Sequence, residues 1–279
     1  MKKLTVIIVS YNVRHYLDGC LASVQKSLHD IDGEVYVVDN ASTDDTLSVL
    51  PTKYPQVHFI GNEENMGFAS ANNMAIRQTS SEYVLLLNPD TLIEENTLRE
   101  ALKFMDEHQR AGAAGVMMHN EDGTLAPESR RSIPTPFVSA MKMLGFTRRY
   151  YMSHLPWDKP NRIEVVSGAF CLLRRKAINE VGMLDEDFFM YGEDIDLSYR
   201  LLKGGWENWY LPLPIVHFKG KSTHKNEYRY VHVFYQAMLI FFKKHYSHLS
   251  VFYTLPVKIA IYFRAFIALV SLVRQKIHI

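Results

Sequence analysis

The sequence predicts an α/β fold in which a mostly parallel sheet carries helices on both faces. Over the first 118 residues, short apolar runs alternate with stretches whose apolar residues recur at the helical period, which is typical of a parallel sheet wound with helices. Polar or acidic residues follow several of these apolar runs, at the strand ends where such sheets bind ligands. Farther along, a helical stretch begins near Glu193 and closes at Gly204 and Gly205, because glycine commonly terminates helices.

The alternation defines the elements of the first half in order. Each apolar run has the length of a buried strand, and each amphipathic stretch has the length of a short helix. The predicted strands are LTVIIVS (4–10), EVYVVDN (34–40), VHFIGN (57–62), YVLLLNPD (83–90) and AAGVMMH (113–119). The helices predicted between them cover residues 14–28, 43–50, 69–78 and 95–108.

The regular alternation stops at residues 119–163, which contain five prolines and two arginine pairs, at 130–131 and 148–149. A segment this long without a clear period predicts a loop excursion over the site. Order resumes with a strand in which Gly168 permits close approach by a ligand or another backbone. The strands predicted in this second half are EVVSGAFCLLRR (164–175), WENWYLP (206–212) and IVHFKG (215–220).

The composition is that of a globular protein with a substantial core. The chain has 279 residues, of which 47% are hydrophobic and 22% charged, enough for one large domain or a domain with an appendage. Cys20 and Cys171 form no C-x-x-C pair, which argues against a disulfide framework or a structural zinc site and fits a reducing compartment. The first apolar run stops at Ser10 and does not require a signal peptide.

The C-terminal region is both basic and apolar. Residues 219–279 hold ten lysines and arginines against one acid, Glu227. The apolar stretch 249–273 is interrupted by Pro256, Lys258 and Arg264, whereas a spanning helix needs about 20 uninterrupted apolar residues. This pattern favours an interfacial helix on an anionic membrane, with a pair of core helices packed on the domain as the open alternative. We expect no nucleic-acid partner, because the basic residues are interleaved with aliphatic runs.

Two nucleotide-binding motifs are excluded. A dinucleotide fold places G-x-G-x-x-G after its first strand, but the segment here reads SYNVRH. The GKST segment at 220–223 resembles part of a phosphate loop, but that motif needs a glycine at the position of Ile215.

The acidic residues at the ends of the strands predict a metal site. Carboxylates at strand ends repel a phosphate unless a cation lies between them, so a divalent metal is implied. Asp90 follows a run of three leucines and Pro89 and is the best candidate ligand, because Mg²⁺ and Mn²⁺ prefer hard oxygen. A cap for the segment that begins near Thr91 is an equally good local interpretation of Asp90, and Asp39 has the same ambiguity. The candidate ligand-binding residues after the strands are Ser10, Tyr11, Asn12, Asp39, Asn40, Ser42, Asn88 and Asp90.

Three acids, Glu193, Asp194 and Asp196, crowd the start of the second-half helix. Acidic residues stabilise a helix N-terminus even when they have no catalytic or binding role, because the first amides are unpaired and the helix dipole is positive there. The helical period places Glu193 and Asp196 on the polar side, with Asp196 one turn from Arg200, whereas Asp194 falls among apolar positions. Asp194 is therefore either a cap for its own helix or a carboxylate aimed into a cleft.

Taken together, several motifs resemble family 2 glycosyltransferases of the Rossmann-like GT-A fold, most closely the rhamnosyltransferase-like branch. The resemblance covers roughly residues 4–223, and the order and spacing of the motifs make it specific. The motifs are TVIIVSYN, VYVVDNASTDDT, NMGFASANN, YVLLLNPD, VSGAFCLLRR and YGEDIDLSYRLLKGGW.

The resemblance implies roles for individual residues in an inverting transfer from a nucleotide-activated sugar. Asp194 matches the catalytic base, with Glu193 as second choice, and Asp90 lies in the metal-binding acidic motif. A lone histidine beside apolar residues is more often structural, but the resemblance places His217 at the metal, with Lys219 or Lys221 behind it closing on the diphosphate. Many relatives carry an acid at the position of Asn88, so metal affinity is expected to be lower here. The implied nucleotide-sugar-binding residues are Ser10, Tyr11, Asn12, Asp39, Asn40, Gly67, Asn72, Asn88 and Gly168.

The resemblance also implies domain organisation and partners. Residues 1–118 would form the nucleotide-sugar-binding half and 119–223 the acceptor-binding half of the same domain. The basic, apolar composition of the tail adds 224–279 as a membrane-associating helical region. The donor would be a dTDP- or UDP-linked sugar, with dTDP-rhamnose first, and the acceptor a lipid-linked glycan or glycolipid in cell-envelope polysaccharide synthesis. We expect a cytoplasmic protein, peripheral on the cytoplasmic face of the inner membrane. The alternative is a non-catalytic nucleotide-binding module recruited to a membrane.

Overall fold

The computed structural model describes residues 2–220, 228–247 and 251–277. The strands are Leu4–Ser10 (β1), Gly33–Asp39 (β2), His58–Gly61 (β3), Tyr83–Leu87 (β4), Thr91–Ile93 (β5), Ala111–His119 (β6), Asn161–Ile163 (β7), Phe170–Arg174 (β8) and Glu207–His217 (β9). The helices are Arg14–Ser27 (α1), Thr46–Lys53 (α2), Phe68–Gln78 (α3), Thr97–Glu107 (α4), Pro136–Met143 (α5), Arg175–Val181 (α6), Glu193–Lys203 (α7), Tyr228–Tyr246 (α8) and Val251–Ile277 (α9).

The strands form one sheet in the order β3-β2-β1-β4-β8-β6-β9-β5, with β7 paired to β9. The four strands β3-β2-β1-β4 are parallel, with Ser10 of β1 in register with Asp39 of β2. β8 enters antiparallel between β4 and β6, and β6 is parallel to β9. The parallel half therefore brings the carboxyl ends of β1, β2 and β4 to one edge of the sheet.

The core lies on both faces of the sheet, as the sequence predicts. Alternate residues of β1 point to opposite faces. Val6 and Ile8 pack with buried residues of α1 such as Leu17 and Leu21. On the other face, Ile7 packs in a cluster that includes residues of α3, α6 and α7. Burial on both faces explains why β1 reads as a continuous apolar run.

The second half differs from the prediction in three places. The two short strands expected at 206–212 and 215–220 are one strand, β9. Its ladder with β6 shifts register between Leu211 and Pro214, because a bulge accommodates prolines that have no amide to donate. The predicted strand 164–175 is regular only from Phe170, and the predicted loop excursion 119–163 contains α5 and β7.

The two C-terminal helices have different surroundings. α8 packs on the domain in a third apolar cluster, where Phe241 and Phe242 meet Ile133, Val165 and Phe188. This matches the core-helix alternative for that helix. α9 contributes the partly buried Val257 to the same cluster and also buries Ile261. Among the described residues, no helix is long and apolar enough to cross a membrane.

Candidate active site

Asn12, just after β1, and Asp39, the last residue of β2, build a loop at the carboxyl edge of the sheet. Asn12 adopts a left-handed backbone (φ 55°), and its side-chain oxygen accepts a hydrogen bond of 2.7 Å from the backbone amide of Thr43. The carboxylate of Asp39 is fully buried and accepts hydrogen bonds from the amide (2.8 Å) and hydroxyl (2.6 Å) of Ser42. Asp39 therefore does hold a turn, the structural interpretation that the sequence left open. Tyr11 lies beside this loop and is 39% exposed.

Asn40 ties the strand ends to the start of α3. Its backbone amide donates to the carbonyl oxygen of Ser10 (2.8 Å), and its side-chain amide donates to that of Gly67 (3.1 Å). Its side-chain oxygen accepts from Asn62 (2.9 Å). The structure therefore brings Ser10, Asn40 and Gly67 together.

Gly67 allows a close backbone contact between two motifs. Its φ is 83°, and a Cβ atom there would collide with the carbonyl oxygen of Phe189. The amide of Phe68 donates to that same oxygen (2.7 Å). Only glycine fits such a position without strain. Asn72 lies one turn into α3, is 1% exposed and donates to the carbonyl oxygen of Phe68 (2.8 Å), so it supports the start of this helix.

Asp90 and His217 meet at the end of the β5–β9 pair. The Nε2 atom of His217 lies 3.3 Å from an oxygen of Asp90 and 3.4 Å from the side-chain nitrogen of Asn88. Thr91 pairs with His217 in the antiparallel ladder. Thr91 thus begins a strand and not a helix, so a helix cap does not account for Asp90, which lies in the turn that precedes this strand.

The chemistry of this pair fits a divalent cation. One carboxylate and one imidazole supply oxygen and nitrogen donors, and Mg²⁺ or Mn²⁺ commonly completes its shell with water and substrate phosphate. Within the described part of the chain, no group of three or more His, Cys, Asp and Glu side chains is arranged to hold a metal. Among the described residues, this pair would therefore hold a cation without a third His, Cys, Asp or Glu ligand.

Asp194 has both of its carboxylate oxygens engaged. One oxygen accepts from the amide of Ile195 (2.8 Å), at the start of α7. The other accepts from the amide of Gly168 (3.2 Å) and pairs with a guanidinium nitrogen of Arg131 (2.5 Å). The N-cap residue of α7 is Gly192, and no side chain caps the helix, so the interpretation of Asp194 as an N-cap is wrong. Its carboxylate is directed towards Gly168 and Arg131.

Arg131 is a partner of Asp194 that sequence reasoning missed. Both side chains are about 14% exposed or less. Burial alone would lower the pKa of Arg131, but the charge and hydrogen bond of Asp194, together with those of Tyr150, outweigh it, and the net shift is upward. The available signal was an arginine pair in the segment where the alternation stops, without an indication of which acid it meets. The ion pair fixes this segment over the head of α7.

Glu193 is buried, although the helical period placed it on the polar side. It is 6% exposed, and one of its carboxyl oxygens is buried without a hydrogen bond to any described residue. Burial, and then the negative charge of Asp194, raises the pKa of Glu193 to about 8. Glu193 therefore holds a proton at neutral pH.

Asp196 was also predicted on the polar side, but α8 covers it completely. Its carboxylate pairs with Arg200 (2.7 Å), as predicted, and also with His245 (2.7 Å) and Lys244 (2.9 Å) of α8. Burial alone would raise the pKa of Asp196, but hydrogen bonds and positive charge from these partners outweigh it and lower the pKa to about 2. Asp196 therefore anchors α8 to α7 and does not point into the site.

Gly168 and Ala169 connect the Asp90 and Asp194 regions. The amide of Gly168 donates to Asp194, and the carbonyl oxygen of Ala169 accepts from the amide of Asn88 (3.0 Å). Leu87 and Phe170 are directly paired in the β4–β8 ladder. The NPD segment and the head of α7 therefore lie on either side of one short stretch at the same sheet edge.

Comparisons with known proteins decide the family. Residues 5–182 match the model described as glycosyl transferase family 2. The chain belongs to this family. A Mycobacterium tuberculosis N-acetylglucosaminyl-diphospho-decaprenol L-rhamnosyltransferase is 30% identical over 265 residues, which cover 88% of this chain and 85% of the relative. Rhamnosyltransferase WbbL of Escherichia coli K12 is 26% identical over 243 residues, which cover 81% and 88%.

A solved structure agrees with the fold of this family 2 glycosyltransferase. Mannosyltransferase PcManGT from Pyrobaculum calidifontis, in complex with GDP-Man and Mn²⁺, aligns with a TM-score of 0.60 and 19% identity over 99% of this chain and 79% of the other. The predicted family, its rhamnosyltransferase-like branch and the GT-A fold are confirmed.

An open cleft of about 450 Å³ lies next to His217 of this glycosyltransferase. Its wall includes Glu121, Asp122 and Lys219. The ammonium of Lys219, which the resemblance placed near the diphosphate, pairs with Glu128. Burial alone would raise the pKa of Glu128, but the hydrogen bond and charge of Lys219, with a backbone hydrogen bond and the charge of Arg131, together lower it below its usual range. Lys221, the other candidate, lies outside the described residues.

Proposed function

We propose that the protein is an inverting glycosyltransferase that moves a sugar, rhamnose first, from a dTDP- or UDP-linked donor to a hydroxyl of a lipid-linked glycan in cell-envelope polysaccharide synthesis. The observation that carries the proposal is the placement of Asp90 and Asp194 on either side of the Gly168–Ala169 stretch. The named activities of the two rhamnosyltransferase relatives support the sugar. The diphospho-decaprenol in the mycobacterial name supports a lipid-linked acceptor.

Asp194 is the proposed base. It accepts the proton of the acceptor hydroxyl as that oxygen attacks the anomeric carbon, and the nucleoside diphosphate leaves from the opposite face. A positioned base of this kind contributes about 10²- to 10⁴-fold. The hydrogen bonds from Gly168 and Ile195, together with the ion pair to Arg131, fix the orientation of the carboxylate. Glu193 is less suited, because it is protonated at neutral pH.

Asp90 and His217 are the proposed metal-binding residues. PcManGT was solved with Mn²⁺, and the donor set here suits Mg²⁺ or Mn²⁺. When bound, a divalent cation would neutralise charge on the leaving diphosphate. Asn88 lies within reach of His217 and would orient its ring.

The strand-end residues are the proposed donor site. The loop held by Asn12 and Asp39, together with the partly exposed Tyr11, would receive the nucleoside. Asn40, Gly67 and Asn72 would shape the site through the backbone contacts at the start of α3. The remaining proposed contacts are Ser10, Asn88 and Gly168.

The proposed setting is the cytoplasmic face of the inner membrane, with the protein peripheral on an anionic surface. α9 supports this, because its large apolar side chains at Leu255, Ile259 and Phe263 are more than half exposed. Lys258 and Arg264 lie on the same helix.

The deciding experiment is a donor screen with a lipid-linked acceptor, read by the release of nucleoside diphosphate. We expect Asp194→Asn to retain donor binding by calorimetry and to lose turnover by about 10³-fold. Asp187→Asn, an exposed aspartate near the same helix, is the matched control and should behave as wild type. Persistent turnover in Asp194→Asn would refute the assigned base. Donor binding without transfer to any acceptor would instead favour a non-catalytic nucleotide-binding module.

A further inference from the structure

The outer face of α9 is an unusual concentration of exposed apolar side chains. Ile261 is buried, and residues 257, 260, 265 and 268 are partly buried, so the inward face follows the helical period. The outward face carries Tyr262, Phe263 and Phe266, each at least 60% exposed. A solvent-facing helix side is normally polar.

A second exposed apolar group lies in the first turn of α5 and just after its last residue. Phe137, Leu144 and Phe146 are 60%, 72% and 62% exposed. The guanidinium of Arg149 lies 5.6 Å from the ring centroid of Phe137, so charge and apolar surface are interleaved here. These side chains lie in the segment that the sequence predicted as an excursion over the site.

The two groups lie side by side. A guanidinium nitrogen of Arg264 on α9 donates to the carbonyl oxygen of Met143, the last residue of α5 (2.7 Å). We call the exposed side chains of 137–149 and of 255–269 the α5–α9 face. The contact indicates that one partner can cover both parts at once.

The charge of this face selects its partner. Residues 129–157 and 228–279 contain no aspartate or glutamate, and Arg148, Arg149 and Lys258 are exposed. Such a basic, aromatic surface is complementary to anionic phospholipid headgroups above an acyl layer. A second copy of this chain would instead place like charges against each other.

We propose that the α5–α9 face as a whole, and not α9 alone, docks on the surface of an anionic phospholipid bilayer. The proposal deepens the proposed transfer to a lipid-linked acceptor and names the surface on which that acceptor is met.

The position of α5 gives this docking a role in acceptor delivery. Arg131, which pairs with Asp194, precedes the start of α5 at Pro136 by five residues. An extended chain of that length spans at most about 18 Å. Thr135 caps the helix by accepting from the amide of Val138 (3.2 Å), so the connection is ordered. A head group that rises from the docked bilayer therefore arrives near the proposed base.

The test is co-sedimentation of the full chain with phosphatidylcholine vesicles that contain or lack phosphatidylglycerol, without donor or acceptor. We expect binding to the anionic vesicles that weakens as salt rises. Leu144→Ser with Phe146→Ser should reduce the partition coefficient at least about tenfold, because each large apolar side chain that leaves water favours binding. Phe263→Ser with Phe266→Ser should do the same. The matched control is Leu47→Ser with Val49→Ser, two exposed apolar residues of α2, which should bind as wild type.

Three results would overturn the proposal. In the first, the α9 variant loses vesicle binding and the α5 variant binds as wild type. In the second, the protein binds equally to vesicles with and without phosphatidylglycerol. The third is a stable dimer by light scattering that the α5 variant dissociates, since the face would then join two copies. Sedimentation does not depend on turnover, so failure of the proposed transfer reaction and failure of this docking are separately visible. Turnover on a water-soluble acceptor should be the same in all variants.

Discussion

The guanidinium of Arg131 lies 2.5 Å from the carboxylate of Asp194, across 63 positions of sequence. Both side chains are largely buried. An ion pair in such surroundings depends on both partners, because removal of one leaves the other charged and desolvated. The segment that carries Arg131 therefore helps to hold the proposed base in position.

We expect Arg131→Gln to reduce turnover at least about 100-fold while donor affinity stays within about threefold, because the variant disturbs a base and not the nucleotide site. It should also lower the free energy of unfolding by about 3 kcal/mol. Arg131→Lys should recover part of the turnover, since it restores charge but not the planar geometry. Arg148→Gln, which changes an exposed arginine of the same segment, is the control. Its turnover, measured with a water-soluble acceptor, should equal that of wild type. Unchanged turnover in Arg131→Gln would remove Arg131 from the mechanism.

Metal dependence should follow the Asp90–His217 pair. We expect chelation to abolish turnover and Mg²⁺ or Mn²⁺ to restore it. Asp90→Asn should weaken Mn²⁺ binding, measured by electron paramagnetic resonance in the presence of nucleoside diphosphate, at least about tenfold. Asp187→Asn should bind Mn²⁺ as wild type. Equal Mn²⁺ affinity in Asp90→Asn and wild type would place the cation elsewhere.

Glu193 should make stability depend on pH. Its pKa is raised from 4.5 to about 8, so the folded state binds the proton more tightly than the unfolded chain does. Stability is therefore full below about pH 4.5 and falls as pH rises towards 8, by about 1.4 kcal/mol per pKa unit. We expect Glu193→Gln, which stays neutral, to be roughly 5 kcal/mol more stable than wild type at high pH and about equal at low pH.

Urea titrations at pH 4 and pH 9 measure this difference. Glu95→Gln, an exposed residue, should show no difference from wild type at either pH. A stability difference in Glu193→Gln that does not change with pH would show that the carboxyl group is not the cause. Turnover of Glu193→Gln should stay within about tenfold of wild type, in contrast to Asp194→Asn.

Gly67 and Gly123 form a matched pair for the contact between α3 and Phe189. Their φ angles are 83° and 80°, but a Cβ atom at Gly123 would meet nothing within 4 Å. Gly123→Ala should lose about 1 kcal/mol from its left-handed backbone alone. Gly67→Ala should lose roughly 2 kcal/mol more, since the collision with Phe189 adds to the strain. If thermal melts show equal losses of stability in Gly67→Ala and Gly123→Ala, the backbone at Phe189 moves to accommodate the added Cβ atom at little cost.

Much of the fold could be predicted because its causes are local. β1, β2 and β4 are apolar runs buried on both faces, and α7 begins at Glu193 and ends at Lys203 before a glycine pair, as its period indicates. Hydrophobic period and glycine act within a few residues. The family motifs could also be found in this way, because they lie at strand ends whose position in a parallel sheet is general.

The sequence by itself determined the alternating α/β order, the polar strand ends and the odd position of Asp194 among apolar residues. Only the tertiary structure decided that Arg131 meets Asp194, that Glu193 is buried, that α8 covers Asp196, and that α9 turns its aromatic face outward. The physical reason is the separation along the chain over which each interaction acts. Periodicity and capping are properties of neighbouring residues, whereas burial, pKa and ion pairing depend on which distant elements pack together.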